Sequence, residues 1–441
     1  MNLNHLSRYL RALLVVALGT VILTGCAHKK PDFNGELPDG EVALRKLSPE
    51  EYPDFSQNMT DPDALIRSCD MSIRYLQAMS SNPYYPYLDI THDRALASVN
   101  GLKAIVLDQK TNPKGPVYLN GIICKMFDVY KSKGAPKAKD EGPGYTEKVL
   151  FTGYFTPIYD ASMKRDGVFQ YPLYKRPTDL VMDPSTNEPR GRQTPAGLAP
   201  YYTRQQIESQ NILAGQELCF VKSRWEAYVI TIQGSAKLKM ADGQLIEIGW
   251  DGFNGYEYAS PADAMEADGV LTREQHSARG IKEYFQQNPA MMDKYLWKND
   301  RFVFFKQTVG GPYGSLGVPV TPKASIAVDK KHDPRKNIYP RAMPAFLTVP
   351  IPTDEAGATS DFRGFMMDQD TGGAIRAAGR CDIYMGVGEA AEKVAGHQLH
   401  EGELYYIAIK DAYVSQYMPP RPIKAPRSAK PAKAPVPDNN K

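Results

Sequence analysis

The apolar positions fall into two textures that divide the chain near residue 149. From Asp61 to about Lys133 they recur at helical spacing. Leu65, Ile66, Cys69, Ile73 and Leu76 repeat every three or four residues behind Asp61-Pro62, a good helix start. Second and third helices are expected near Thr91 and Leu119, all as core faces without chemistry. Beyond Val149 the apolar residues form short β-branched and aromatic runs broken by Gly, Pro, Asp and Asn. KVLFTGYFTP, AYVITIQGSAKL, RFVFFKQ, KASIAVD, AFLTVPIP and LYYIAIK are examples. Short strands at regular spacing with turn signals predict barrels, not a doubly wound sheet. Helical interruptions are expected near 203–210 and 261–297, where Thr272 to Gln275 reads as a capping box. The expected fold class is mainly β with helices: a β-barrel domain carrying helices, and a second β-rich piece between about 158 and 309.

The ends differ from this body. Arg8 and Arg11 precede the apolar run Ala12–Leu23, which is too short for the roughly 20 residues of a membrane-spanning helix and has the pattern of a secretory signal. Leu23-Thr24-Gly25-Cys26 fits a lipobox, so Cys26 is the expected lipidation site and first mature residue. With Ala27 after the cysteine, the expected location is the outer membrane, facing the periplasm. Loss of Arg8 and Arg11 takes the formal charge from +3 to +1. The segment Pro419–Lys441 carries six basic residues, one Asp and seven prolines, so it is expected to be disordered. The body between is therefore slightly acidic, which excludes a globally basic nucleic-acid binder. Cys69, Cys124, Cys219 and Cys381 remain, with three disulfide pairings open and no zinc-ligand spacing.

The stretch DQDTGGAIRAAGRCDIYMG, residues 368–386, concentrates the candidate chemistry. It lacks the lysine and Ser/Thr of a phosphate loop. Gly379 stands where an EF-hand needs a bidentate glutamate, so no metal is expected. Gln233-Gly234-Ser235-Ala236 lacks the closing glycine of a nucleophile elbow. His397 and His400 have no indicated third ligand and read as surface residues. Carboxylate chemistry remains. Asp382, in a short apolar-flanked strand, would have a raised pKa if partly desolvated, and Asp370 could raise it further by like-charge repulsion. Taken alone, both aspartates read better as turn caps, because DTGG is ordinary turn chemistry.

Asp329 in SIAVD, Asp370 in QDTGGAIR and Asp382 in RCDIYMG resemble, in that order, the three aspartates that name the 3D domain. FTGYFTPIYD, RQTPAGLAPYYTR, VITIQGSA, NDRFVFFK and GPYGSLGVPVTPKASIAVD resemble the rest of the membrane-bound lytic transglycosylase A family. The resemblance runs from roughly Asp61 to Lys410. It departs from the family where GAIR replaces the frequent GAIK, and at Cys381.

The resemblance implies a double-psi β-barrel with a second, inserted β-barrel domain and a groove between them for peptidoglycan. The implied organisation is a signal peptide at 1–25, a tether at 26–49, and a first barrel portion at 50–157. The insert follows at 158–309, the rest of the barrel with the 3D domain at 310–418, and the tail at 419–441. The implied reaction cleaves the β-1,4 bond between N-acetylmuramic acid and N-acetylglucosamine and leaves a 1,6-anhydro end. Asp382 would be acid then base, with Asp370 as its orienting and pKa-setting neighbour. Tyr154, Thr156, Gln233, Gly234, Ser235 and Asp329 are the expected substrate-contacting set, Asp329 being structural or groove-lining. Trp225 and Tyr384 are expected to be packing residues. Neither cofactor nor metal is expected. The implied partners are glycan strands, the outer membrane through the lipid anchor, and proteins of cell-wall synthesis or hydrolysis. A non-catalytic wall-binding lipoprotein and a muramidase using water are the rival readings.

Overall fold

The computed structural model describes residues 31–419 apart from 39, 57–59, 139–140, 185–187, 273–274 and 330–337. The signal segment, Cys26 and nearly all of the tail lie outside the described residues. Among those described, no helix is long and apolar enough to cross a membrane.

The N-terminal part runs β1 (Leu44–Lys46), α1 (Pro62–Gln77), α2 (His92–Thr111), α3 (Pro116–Met126), β2 (Phe127–Ser132) and β3 (Val149–Thr156). Asp61 caps α1 by accepting the Asp63 and Ala64 N–H groups, and Thr91 caps α2 through the Arg94 N–H. The helical texture expected to reach Lys133 stops at Met126. FDVYKS pairs with the last long strand and buries Phe127, Val129, Tyr130 and Ser132, so it is a strand between two covered faces.

Residues 158–308 form a unit of their own. Its strands are β4 (Ile158–Ser162), β5 (Tyr171–Tyr174), β6 (Leu180–Met182), β7 (Pro189–Thr194), β8 (Gly197–Ala199), β9 (Glu217–Val221), β10 (Ser235–Lys239), β11 (Leu245–Phe253) and β12 (Val303–Thr308). Six of them make a sheet in the order β12-β11-β10-β4-β9-β5, and β6-β7-β8 make a smaller one. Between them lie α4 (Arg204–Gln210), α5 (Arg224–Gln233), α6 (Pro261–Ala267), α7 (Ala278–Gln287) and α8 (Met292–Leu296).

Two sequence expectations fail in this unit. AYVITIQ, expected as strand, is the body of α5. A capping box of Ser223 and Glu226 starts that helix, and Gly234, at φ 75°, ends it in the left-handed region that glycine enters freely. The strand begins only at Ser235. The helical stretch expected over 261–297 is broken into α6, α7 and α8. At the expected capping box the Thr272 N–H does donate to Gln275 Oε1 (2.8 Å), yet α7 starts later, behind Ser277.

The chain then returns to the first unit with β13 (Ser325–Ala327), β14 (Pro344–Pro352), β15 (Thr359–Asp370), β16 (Arg380–Val387), α9 (Glu389–His397), β17 (Leu399–Ile409) and α10 (Asp411–Tyr417). Strands pair in the order β17-β14-β15-β13-β16-β3, and β3 pairs back onto β17. This closes a six-stranded barrel of mixed parallel and antiparallel pairs, as a double-psi fold requires. β1 and β2 extend the sheet beyond β17. Phe151, Ile383, Leu347, Met366 and Tyr406 fill the interior, each worth about 1.5–3 kcal/mol in burial. α2 is fastened outside by Arg94 Nε donating to the Ile409 carbonyl (2.7 Å) and the Ile409 N–H donating to Ser98 Oγ (2.8 Å). All four described cysteines are free thiols.

Candidate active site

Strand register sets the site. Ala327 of β13 pairs with Asp370 of β15 on one side and with Asp382 of β16 on the other. Asp382 pairs in turn with Thr152 of β3, and Thr152 with Leu399 of β17. Laterally paired residues share one face of a sheet. These five side chains therefore form a row on the outer face of the barrel, and all five line a cavity of about 890 Å³. On β16, Arg380 and Asp382 face this cleft while Cys381 and Ile383 are fully buried in the barrel. On β3, Leu150, Thr152 and Tyr154 line it, while Val149, Phe151 and Phe155 point inward.

Asp370 reaches this face through a β-bulge. Successive residues of β13 pair with Asp368 and Asp370, so Gln369 is extra. In a regular strand without the bulge the two aspartates, two residues apart, would share a face. Instead Asp368 is buried and accepts the Tyr406 hydroxyl (3.0 Å), while Asp370 turns to the cleft. The buried Gln369 amide holds the bulge. It accepts from Ser68 Oγ (2.9 Å) and Ser325 Oγ (2.6 Å), and donates to the Ser68 carbonyl (2.6 Å) and Ser72 Oγ (3.0 Å).

Asp382 sits low in the cleft, its side chain 17 % exposed. Burial raises its carboxyl pKa, outweighing the charge of Arg380 and a hydrogen bond from Thr152, which both pull it down. Thr152 Oγ1 donates to Asp382 Oδ1 and accepts from Arg380 Nη2 (3.1 Å); Arg380 Nη2 stands 3.7 Å from the same carboxylate oxygen. Arg380 Nη1 also donates to Asn34 Oδ1 (3.2 Å), so the segment expected to be a plain tether touches the site.

The expected like-charge pair of Asp370 and Asp382 is not what raises the acid. A whole strand, β13, runs between them, which places their backbones two strand spacings apart, about 9–10 Å. Asp370 Oδ1 accepts the Ser315 N–H (2.7 Å) and the Thr371 N–H (2.8 Å). The two glycines that follow it do not fold it back onto Asp382.

The other expected residues separate into two groups. Tyr154 and Gln233 line the cleft. Burial and the neighbouring Asp370 push the Tyr154 phenol well up, and its ring lies 5.1 Å from that of Tyr384. Gln233 Oε1 accepts the Phe155 N–H (3.0 Å), tying α5 to β3. Thr156, Gly234 and Ser235 lie behind the wall. Thr156 Oγ1 is 3.0 Å from the Tyr384 hydroxyl and 3.3 Å from Ser235 Oγ, joining the two units. Asp329 is buried and accepts the N–H of Ala377 (2.7 Å), a residue at φ 59°, so it braces the loop between Asp370 and Asp382.

Sequence reasoning missed several cleft residues. Trp225 lines the cleft, as do Tyr228, Val229 and Ile232. With Gln233 they recur at 225, 228, 229, 232 and 233, one face of α5, a helical signal hidden by β-branched residues. His397 and His400, expected on the surface, are half-buried and line the cleft, and burial lowers the His400 pKa. Arg301, Arg376 and Tyr258 complete the wall contributed by the insert and the loop after Asp370.

Comparison with known proteins agrees with this division. The family model described as the MltA specific insert domain matches residues 150–306, and the 3D domain model matches 324–408. The membrane-bound lytic murein transglycosylase A of Vibrio cholerae is 30% identical over 270 residues, covering 60% of this chain and 66% of that protein. The protein of the same name from Escherichia coli K12 is 28% identical over 271 residues, covering 60% and 67%. The match thus spans about two thirds of the length of these relatives. Among solved structures, a membrane-bound lytic murein transglycosylase from Agrobacterium tumefaciens superposes with a TM-score of 0.66 at 22% identity, over 85% of this chain and all of that one. E. coli MltA with bound chitohexaose superposes with a TM-score of 0.61 at 21% identity, over 86% and 97%. The closed barrel, its insert and the ordered aspartate motifs converge on one conclusion: this chain belongs to the MltA family of membrane-bound lytic murein transglycosylases.

Proposed function

We propose that the chain is a peptidoglycan lytic transglycosylase and that Asp382 is its acid and base. The observation that carries this reading is a carboxyl group whose pKa is raised by burial, set in a cleft of about 890 Å³ walled by both units. A raised carboxyl is protonated over a wider pH range and can donate to the glycosidic oxygen. The names of the relatives, and the chitohexaose bound by E. coli MltA, support a glycan in this cleft.

In the proposed reaction Asp382 gives its proton to the glycosidic oxygen as the bond from C1 breaks. The C6 hydroxyl of the same muramyl residue then attacks C1, and the Asp382 carboxylate takes the hydroxyl proton. The products are a 1,6-anhydromuramoyl end and a free N-acetylglucosamine end, with Asp382 restored. The nucleophile is already tethered to the reacting sugar, so its effective concentration is high and no second carboxylate is needed to activate water. Thr152 and Arg380 would stabilise the charged intermediate form of Asp382. Tyr154, Trp225 and Tyr228 would offer ring faces to the sugars. Attachment through Cys26 would hold the enzyme at the membrane, with its substrate in the periplasm.

Mass spectrometry of digested sacculi tests the reading. Transglycosylation gives muropeptides one water lighter than hydrolysis does. Reducing ends without anhydro ends would mean a muramidase, and the absence of any soluble product would mean a binding protein.

A further inference from the structure

Arg301 lies just before β12, where the insert meets the loop after Asp370, and its guanidinium lines the cleft. One face of the group lies over the Phe253 ring, 3.6 Å from its centroid. On another side is Gly373, where an added Cβ would meet Nε at 3.0 Å and Cζ at 3.2 Å. Arg204 Nη2 holds the Arg301 carbonyl (2.6 Å), fixing the backbone beneath. The group is thus closely packed between the Phe253 ring and the backbone at Gly373.

Its charge has little to meet. Among the described residues its side chain makes one hydrogen bond, from Nη1 to the Tyr256 carbonyl (3.3 Å), and no carboxylate forms an ion pair with it. Glu188 and Glu257 act on it only at longer range, and Glu257 pairs with Arg376 at 2.6 Å. Burial pulls the Arg301 pKa down to about 10, so the group stays charged at neutral pH with part of its hydration removed. A half-buried planar fork with unused N–H groups matches a carboxylate in geometry and charge.

Resting on the proposed substrate, we infer that Arg301 is a subsite for a carboxylate carried on the lactyl arm of a muramyl residue. That carboxylate is either the lactyl group's own, on strands stripped of peptide, or one belonging to an attached peptide stem. The subsite would distinguish muramyl-containing glycan from neutral N-acetylglucosamine polymers.

The test is equilibrium binding in the Asp382→Asn chain, which removes turnover from the measurement. The probes are chitohexaose, amidase-stripped glycan strands and stem-bearing strands. Arg301→Gln should weaken carboxylate-bearing strands by about ten- to a hundredfold, the range for a charged hydrogen-bonded pair, and chitohexaose by less than about twofold. Loss on stripped strands assigns the lactyl carboxylate, and loss confined to stem-bearing strands assigns the stem. Equal loss on chitohexaose, or no loss on any ligand, overturns the inference. Should Arg301→Gln fail to fold, Arg301→Lys, which keeps the charge but loses the planar fork, should give the same selective loss to a smaller degree. Because binding is read without catalysis, a failed product analysis and a failed subsite give separate results.

Discussion

The two walls of the cleft are built by different rules. The barrel wall is a row of laterally paired strand residues, with Asp382 placed by register between Ala327 and Thr152. The insert wall is one face of α5 together with loop residues such as Tyr258 and Arg301. Strand positions are fixed by ladders on both sides, so a carboxyl group there keeps one environment and one pKa. Helix and loop positions tolerate changes of side chain without disturbing a ladder. The contrast suggests that chemistry resides on the barrel and recognition on the insert.

Substitutions can break this comparison. The largest effect is expected from Asp382→Asn, which should lower lysis of sacculi by about 10²–10⁴-fold while glycan binding survives. Turbidity clearance and pull-down of sacculi measure the two properties separately. Trp225→Ala, on the insert wall, should raise KM about tenfold and leave the pH profile unmoved. A shifted profile in that variant would put chemistry on both walls.

The next effects concern the acid itself. Its protonated form starts the reaction, so kcat/KM should fall as pH rises through the Asp382 pKa. Arg380 favours the carboxylate, and removing its charge in Arg380→Gln should raise that pKa and move the alkaline limb to higher pH. Thr152→Val removes a weaker influence of the same sign and should move the limb less. The smallest change is expected from Asp370→Asn. The Asp370 carboxylate lies across β13 and is held by the Ser315 and Thr371 N–H groups, so the limb should stay in place. A downward shift there would restore the like-charge coupling between the two aspartates.

How much of this was legible in the sequence follows from the same contrast. The barrel wall was largely legible, because FTGYF and RCDIYMG alternate with period two and carry their motif residues on one face. Asp382 itself stands out only through the resemblance of RCDIYMG to the 3D-domain motif, since alternation alone does not separate an acid from a turn cap. The bulge at Gln369 could not be seen, since it depends on serines from α1 and β13 that converge only in the fold. For that reason the sequence pattern places Asp370 in the cleft but does not show that β13 separates it from Asp382. The insert wall is harder to read, because the β-branched run AYVITIQ has strand propensity while the Ser223–Glu226 capping box and the stop at Gly234 make it a helix. Thr156, Ser235 and Asp329 were named from motifs and are bonded behind the cleft, where they hold the two units and the 371–379 loop in position.

The most direct measurement is the titration of the Asp382 carboxyl group itself, by carbon-13 NMR of aspartate-labelled protein with Asp382→Asn as the assignment control. The account predicts one resonance that titrates above the ordinary aspartate value of 3.8 and disappears in the variant. An Asp382 that titrates at or below 3.8 would contradict it.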